Sequence, residues 1–384
     1  MKNNSFIQAQ ENLYFLVKAK NVWQLNNYLF NQIGINNKLI LFILYVFSPC
    51  IYVVNFVFAL LITVFKFVCS LFSYRWKVDE KDIEVYDKLF LFFINHFPDR
   101  CKAANLYEES KYWVVSPAID IKKYNLKNKV ILDYRQYLSK KDALMIFGDS
   151  LLCLGEYLFN VRYLCLIHKL WDFYEVKYSL QKISRNSILY FANQSDKYAL
   201  LFDNLNSKGK VLLQHGIVAN WGDLPYRLNS ITEFYSMSNK TWGNAFKHLL
   251  NCKPRLVVMK PTISLTTIPD NNFSVLIVAG IDYVKIEQLI LKKLSKNSSI
   301  RIFVKKHPAL EHDNVYKEMQ KKYGFNYIVD KKFPKVDFVI SYYSTLAYEY
   351  MAYGIPVYVY MTAEEFNMSK MMLAIQECIN NKQR

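Results

Sequence analysis

Four short polar motifs follow apolar runs in the second half of this sequence, and their residue types could bind or activate a charged ligand. They are Gln214-His215-Gly216 after KVLL, Ala279-Gly280 after SVLIV, Lys305-Lys306-His307-Pro308 after IRIFV, and Ser341 to Thr345 after VDFVI. Apolar runs of this length, bounded by polar residues and glycine or proline, are typical of buried strands. The motifs therefore fall where strands are predicted to end.

Two histidines could take part in proton transfer or phosphate binding. Gly216 allows a sharp turn that presents His215 at the rim of a sheet, where it could act as a general base. Pro308 restricts the backbone of His307, and Lys305 adds positive charge, so this motif could contact a phosphate and a leaving group. The alternatives are a structural histidine at 215 and an ordinary basic loop at 305–308.

Hydroxyl groups at a helix start are the second type of candidate. Ser341, Ser344 and Thr345 precede a predicted helix, whose N-terminal N–H groups favour an anion. Ser344 or Thr345 could equally be only an N-cap. Glu349, further along the same helix, is a candidate contact to a ribose, and Gly280 resembles a reduced phosphate-approach turn, although no GxGxxG pattern is present.

From about residue 80 onward, short apolar runs alternate with amphipathic stretches, which predicts right-handed βαβ units and parallel sheets. Prolines at 254, 261 and 269 mark a boundary between two such halves. We expect a segment 1–80, a Rossmann-like domain 81–255 and a second one 256–384, facing each other. Strands are predicted at 111–116, 129–134, 187–192, 210–214, 231–238, 274–280, 300–305, 326–329, 336–341 and 355–360, and helices at 139–171, 197–206, 239–250, 283–296, 312–324 and 344–354.

Composition narrows the class of protein. The 384 residues are 52% hydrophobic, which excludes a disordered chain. The net charge of +17 favours anionic partners, but no run of five basic residues occurs, so a nucleic-acid partner is not expected. The seven cysteines form no CxxC pair, and no DxD pair ends a strand, so we expect neither a zinc site nor a required divalent metal, and no cofactor.

Residues 39–65 carry no charge, and this run is longer than the roughly 20 residues that span a bilayer. Basic residues lie on both sides of it, and Pro49 lies within it. We expect membrane contact between about 39 and 74, either as one long helix or as a hairpin that turns near Pro49 or Asn55, with both ends in the cytoplasm. A buried pair of core helices is the alternative.

The stretch 210–360 resembles the GT-B glycosyltransferases that use cytidine-activated donors. This group includes bacterial sialyltransferases and polysialyltransferases, capsule Kdo transferases and CDP-glycerol glycerophosphotransferases. His307-Pro308 is similar to their HP motif, Ser344-Thr345 to their SS/ST motif, and His215-Gly216 to an HG turn. The resemblance implies that these motifs bind the nucleotide and its phosphate. The acidic triplet that supplies the base in sialyltransferases is absent, which leaves His215, Asp149 and Asp223 as candidate bases.

The sequence thus predicts an α/β, GT-B-like glycosyltransferase with an N-terminal membrane segment, located at the cytoplasmic face of the inner membrane. Its expected partners are a nucleotide-sugar donor, CMP- or CDP-linked, and a surface polysaccharide or lipid-linked glycan acceptor, with metal-independent inverting transfer. A nucleotide-sugar epimerase of the same fold and a non-catalytic scaffold of a polysaccharide export assembly are the alternatives.

Overall fold

The computed structural model describes most of the chain. The described residues are 6, 8, 12, 48–78, 85–159, 169–193, 196–215, 224–237, 248–261, 263–269, 272–280, 283–306, 315–328, 332–342, 344–360 and 365–383. They form two compact units, and the second unit begins at Val258.

The first unit is built on a seven-stranded sheet with the order β3-β2-β1-β4-β5-β6-β7. All strand pairs with an assigned register in it are parallel. Large aromatic side chains fill its core; for example, the ring of Phe90 stacks on that of Tyr190 at a centroid distance of 4.5 Å. The strands are β1 (Lys88–Phe92), β2 (Tyr112–Val115), β3 (Val130–Leu132), β4 (Ile188–Phe191), β5 (Gly209–Leu213), β6 (Glu233–Ser236) and β7 (Arg255–Val258).

The second unit is built on a five-stranded parallel sheet with the order β11-β10-β9-β13-β14, beside a two-stranded pair of β8 and β12. Its central strand is buried at every position, as expected of a strand covered on both faces. The strands are β8 (Ser264–Thr266), β9 (Phe273–Val278), β10 (Ile300–Lys305), β11 (Asn326–Tyr327), β12 (Lys332–Pro334), β13 (Phe338–Tyr342) and β14 (Val357–Tyr360).

Nine α-helices lie within the described residues. They are α1 (Ser48–Ser73), α2 (Phe97–Ala103), α3 (Lys140–Phe159), α4 (Leu170–Ile183), α5 (Lys197–Asn204), α6 (Val284–Leu294), α7 (Val315–Tyr323), α8 (Thr345–Ala352) and α9 (Met368–Gln383).

The strand order identifies the class of fold in both units. In each sheet the first three strands run outward in one direction from the centre and the later strands run in the other, which is the doubly wound, Rossmann-type arrangement. The prediction of two α/β domains with parallel sheets is therefore confirmed. In such sheets a crevice opens at the carboxyl ends of the two central strands, between β1 and β4 and between β9 and β13.

Some local predictions were wrong. The proline-rich stretch 252–272 was predicted to break regular structure, yet it contains β7 and β8, because both are short strands that end before a proline. A hairpin turn at Asn55 is excluded, since α1 is continuous through that residue; Pro49 is its second residue, and 39–47 lie outside the described residues. The predicted helix 239–250 also lies mostly outside them.

Candidate functional site

The crevice of the second unit brings several predicted ligand residues to one edge of the sheet. Val278, at the end of β9, pairs with Lys305 on one side and with Ser341 on the other. Gly280 lies two residues beyond Val278. Parallel register alone therefore places Lys305, Gly280 and Ser341 at the carboxyl edge, as the sequence predicts.

Gly280 is tightly packed against aromatic side chains. Its N–H donates a hydrogen bond of 2.7 Å to Oε1 of Glu287. A Cβ atom added at Gly280 would lie 2.8 Å from Cδ1 of Tyr342, which is closer than van der Waals contact allows. The Tyr342 ring in turn stacks on Tyr283 at a centroid distance of 4.3 Å. Position 280 must be glycine here because of close approach.

Glu287, which sequence analysis did not single out, lies beneath this turn. Its side chain is fully buried, and it accepts hydrogen bonds from the Gly280 N–H and from the Tyr316 hydroxyl. Burial raises the pKa of Glu287 to about 7, although both hydrogen bonds act in the opposite direction. The sequence gives no signal for this role, because an acidic residue in the first turn of a helix is ordinary.

Tyr360, at the end of β14, adds a buried hydroxyl to the same edge. Its ring packs at 5.6 Å from Tyr283, and its hydroxyl has no hydrogen-bond partner within the described part of the chain. An unpaired buried hydroxyl costs free energy, so a polar group brought by a ligand would be favoured there.

Ser344 is the N-cap of α8, which was the alternative to a ligand-binding role for this residue. Its Oγ accepts a hydrogen bond of 3.2 Å from the N–H of Leu346, and Thr345 is the first residue of α8. The Oγ of the buried Ser341 donates to the carbonyl of Tyr342. The Nζ of Lys305 donates to the carbonyl of Ile328 at 3.2 Å. These contacts position the side chains, and they do not test a role in ligand binding.

Glu349 and Asp149 have structural partners. Oε2 of the buried Glu349 accepts a hydrogen bond of 3.0 Å from the backbone N–H of Ile263. Asp149 lies in the middle of α3, and its Oδ2 accepts hydrogen bonds of 3.0 Å from Nζ of Lys177 and from the Tyr178 hydroxyl. His307, Pro308 and Asp223 lie outside the described residues.

A second polar cluster lies at the carboxyl edge of the first unit. His96 follows β1 in a left-handed conformation with φ of 69°, and His215 follows β5. Their ring centroids are 6.4 Å apart. Burial lowers the pKa of His215 to about 4, and the charges of Arg100 and His96 act in the same direction. The His215 imidazole is therefore neutral at pH 7.

Asn193 and Asp196 follow β4, the strand between β1 and β5. The Nδ2 of Asn193 donates a hydrogen bond of 2.7 Å to Asp196, whose other carboxylate oxygen caps α5 by accepting from Ala199. Sequence reasoning identified His215 but missed His96, because β1 was not recognised as a strand; Asn193 was missed although the strand before it was predicted at 187–192. The apolar run KLFLFF before Asn95 could have revealed β1.

Within the described residues, no group of three or more His, Cys, Asp or Glu side chains is close enough to hold a metal ion. The expectation of metal-independent chemistry stays a prediction.

No protein-family model matches this sequence, and no curated protein does either. Among solved structures, the wall teichoic acid polymerase TagF aligns with 83% of this chain and 90% of its own, at 11% identity and a TM-score of 0.40. MurG of Acinetobacter baumannii aligns with 78% of this chain and 95% of its own, at 12% identity and a TM-score of 0.40. The alignment with TarM covers 55% of this chain and 52% of TarM, at 12% identity and a TM-score of 0.35. This chain thus spans only about half the length of TarM. Similarity at this level assigns no activity to the chain.

Proposed function

We propose that this protein is a glycosyltransferase that moves a sugar from a nucleotide-activated donor to a glycan or lipid-linked acceptor. The proposal extends to a CMP- or CDP-linked donor, a surface polysaccharide as acceptor, and inverting transfer without a metal. The observation that carries it is the carboxyl edge of the second sheet, where Lys305, Gly280 and Ser341 meet at the point where the strand order reverses.

The chemistry of that edge suits a nucleotide. The absence of a side chain at Gly280 lets the Tyr342 ring pack against the turn, and Ser344 marks the start of α8, whose N-terminal N–H groups favour a phosphate. Tyr283 and Tyr342 form an aromatic pair beside the turn that offers a surface to a base or ribose. Lys305 supplies positive charge, and we assign His307 to the leaving phosphate on the basis of its position after β10.

The proposed reaction is a single displacement. The acceptor hydroxyl oxygen attacks the anomeric carbon, the bond from that carbon to the phosphate oxygen breaks, and the nucleotide leaves with the electron pair. Cationic and N–H groups stabilise the charge that develops on the phosphate. The proton of the acceptor passes to a basic side chain of the protein. Of the residues considered, His215 suits this role best, because its imidazole is neutral and can accept a proton, and His96 lies beside it.

A thermal-shift panel of CMP, CDP, UDP and GDP, with and without EDTA, tests the donor site. We expect a cytidine nucleotide to raise the melting temperature, and EDTA to leave the shift unchanged. His307→Ala should abolish the shift, whereas the matched variant His312→Ala, five residues further along the chain, should retain it. Absence of a shift with all four nucleotides would contradict a donor site and favour a non-catalytic scaffold.

Transfer itself is tested with the preferred donor sugar and a glycan acceptor. Product that forms only when the acceptor is present supports the proposal, while conversion of the donor sugar without acceptor would indicate an epimerase instead.

A further inference from the structure

The most deeply buried residues of α1 are small or polar. Ala59 is 1% exposed and Thr63 2% exposed, and Ser70 is also buried. Spaced by four and seven residues, they lie on one face of the helix. This face packs against α3 and α4, where the ring of Phe67 stacks on that of Phe147 at 4.4 Å. Small side chains allow the helices to approach closely.

An ion pair and a hydrogen bond connect the C-terminal half of α1 to α4 of the first unit. Lys66 forms an ion pair with Asp172 of α4, and the Tyr74 hydroxyl, just beyond the helix, donates to Glu175 of α4. Glu175 also accepts from the indole N–H of Trp171 at 2.8 Å. This half of α1 is therefore an integral part of the first unit.

The outward side of α1 carries the large apolar side chains. Phe65 is 69% exposed and Phe72 84% exposed. A helix on the surface of a water-soluble domain has the reverse arrangement, with large apolar residues inward. The exposed apolar residues of α1 are Val53, Val54, Val57, Phe58, Leu61, Val64, Phe65, Val68 and Phe72.

The neighbouring helix α3 extends this surface. Leu144 and Leu151 lie three residues before and four residues after Phe147, the contact to α1, so they share a side of α3 with it. Both are exposed, as are Met145 and Leu152. We call the exposed apolar residues of α1 and α3 together the apolar face; so many exposed apolar side chains on two packed helices mark an interaction site.

Basic and aromatic residues border the apolar face where α1 ends and α3 begins. Trp76 is 81% exposed, and Nζ of Lys140 lies 4.0 Å from its ring centroid. Arg75 lies next to Lys140, because its backbone carbonyl accepts a hydrogen bond of 2.8 Å from the Lys140 N–H. Lys77 and Lys141 add further positive charge. Tryptophan beside lysine and arginine is typical of the boundary between lipid chains and anionic headgroups.

We propose that the apolar face docks the protein in the plane of a membrane that contains anionic lipid, with α1 lying along the surface and not crossing it. Val53–Ser73 is long and apolar enough to cross a bilayer. A crossing, however, would draw Asp172 and Glu175 of α4, packed beside α1, into the hydrocarbon region. Charged groups at that depth are costly, whereas in-plane docking keeps them on the protein side.

Vesicle flotation with the full chain tests the partner. We expect binding to vesicles of phosphatidylcholine with phosphatidylglycerol, and weaker binding to phosphatidylcholine alone. Phe65→Gln with Phe72→Gln should lower the affinity by about a hundredfold, because two exposed phenylalanines lose their burial in lipid. Leu289→Gln with Leu373→Gln, exposed residues of the second unit, is the matched control and should bind normally.

Immersion depth separates docking from crossing. Spin labels at Phe58→Cys, Phe65→Cys and Phe72→Cys, each in a Cys69→Ser background that serves as the blank, report depth by oxygen accessibility. Docking in the plane predicts similar depths, whereas a crossing helix predicts a spread of about 20 Å over these positions. That spread, equal affinity of the double variant, or no binding to anionic vesicles would overturn the proposal; retained nucleotide binding in any of these cases leaves the proposed function standing.

Discussion

Replacing Glu287 by glutamine should stabilise the protein in neutral and alkaline solution relative to the unchanged chain. The carboxyl group is buried beneath the Gly280 turn, and burial raises its pKa from the ordinary value of 4.5 to about 7. A group with a raised pKa in the folded state contributes stability below pH 4.5 that is lost as the pH rises through 7. Glutamine has the same shape and cannot ionise.

The magnitude follows from the pKa. Holding the ionised carboxylate in the folded protein costs about 3 kcal/mol relative to the unfolded chain, since one pKa unit corresponds to about 1.4 kcal/mol. The amide oxygen of glutamine can accept from the Gly280 N–H, and the Tyr316 hydroxyl can rotate to accept from the amide nitrogen. The difference in unfolding free energy between variant and unchanged chain should therefore grow by about 3 kcal/mol from pH 4.5 to pH 8.

Urea unfolding at several pH values, followed by a signal assigned to the second unit, measures this difference. Glu318→Gln, an exposed position on α7, is the control and should leave the pH dependence as it is in the unchanged chain. A difference between Glu287→Gln and the unchanged chain that stays flat from pH 4.5 to pH 8 would refute the reasoning about burial.

Three further outcomes are expected. The pKa of His215 is lowered from 6.5 to about 4 in the folded protein, so the unfolded chain binds a proton first and the folded protein loses stability as the pH falls from 6.5 to 4. In urea unfolding, His215→Asn should remove up to about 3 kcal/mol of that loss. Gly280→Ala would push a methyl group against the Tyr342 ring, and isothermal titration should show weakened nucleotide binding with the fold retained by circular dichroism. Ser344→Ala removes the cap of α8 and should cost about 1 kcal/mol in thermal unfolding, whereas Ser344→Asp, which can also cap, should restore it.

The alternation of apolar runs and amphipathic stretches was sufficient to predict most of the second sheet. Strand β10 was predicted at 300–305 and is Ile300–Lys305, and the predicted strands at 274–280 and 336–341 correspond to β9 and β13. Such runs are informative because a strand of a parallel sheet buries both faces and so needs consecutive apolar residues.

Predictions were weaker where pairing partners decide the structure. Strand β8 has no apolar run, and the short apolar run of β7 lies between Pro254 and Pro261, which favours a linker. The failure to predict β1 had a larger consequence. This strand lies beside β4 where the strand order reverses, and His96 could not be placed near His215 without it.

The local order of apolar and polar residues is enough to predict the parallel α/β architecture, the positions of most strand ends and the charge-free N-terminal run. It does not predict that Glu287 lies under Gly280, or that α1 leaves most of its large apolar side chains exposed. Both depend on which surfaces pack against each other, and hydrophobic periodicity along one segment does not encode the identity of its partner.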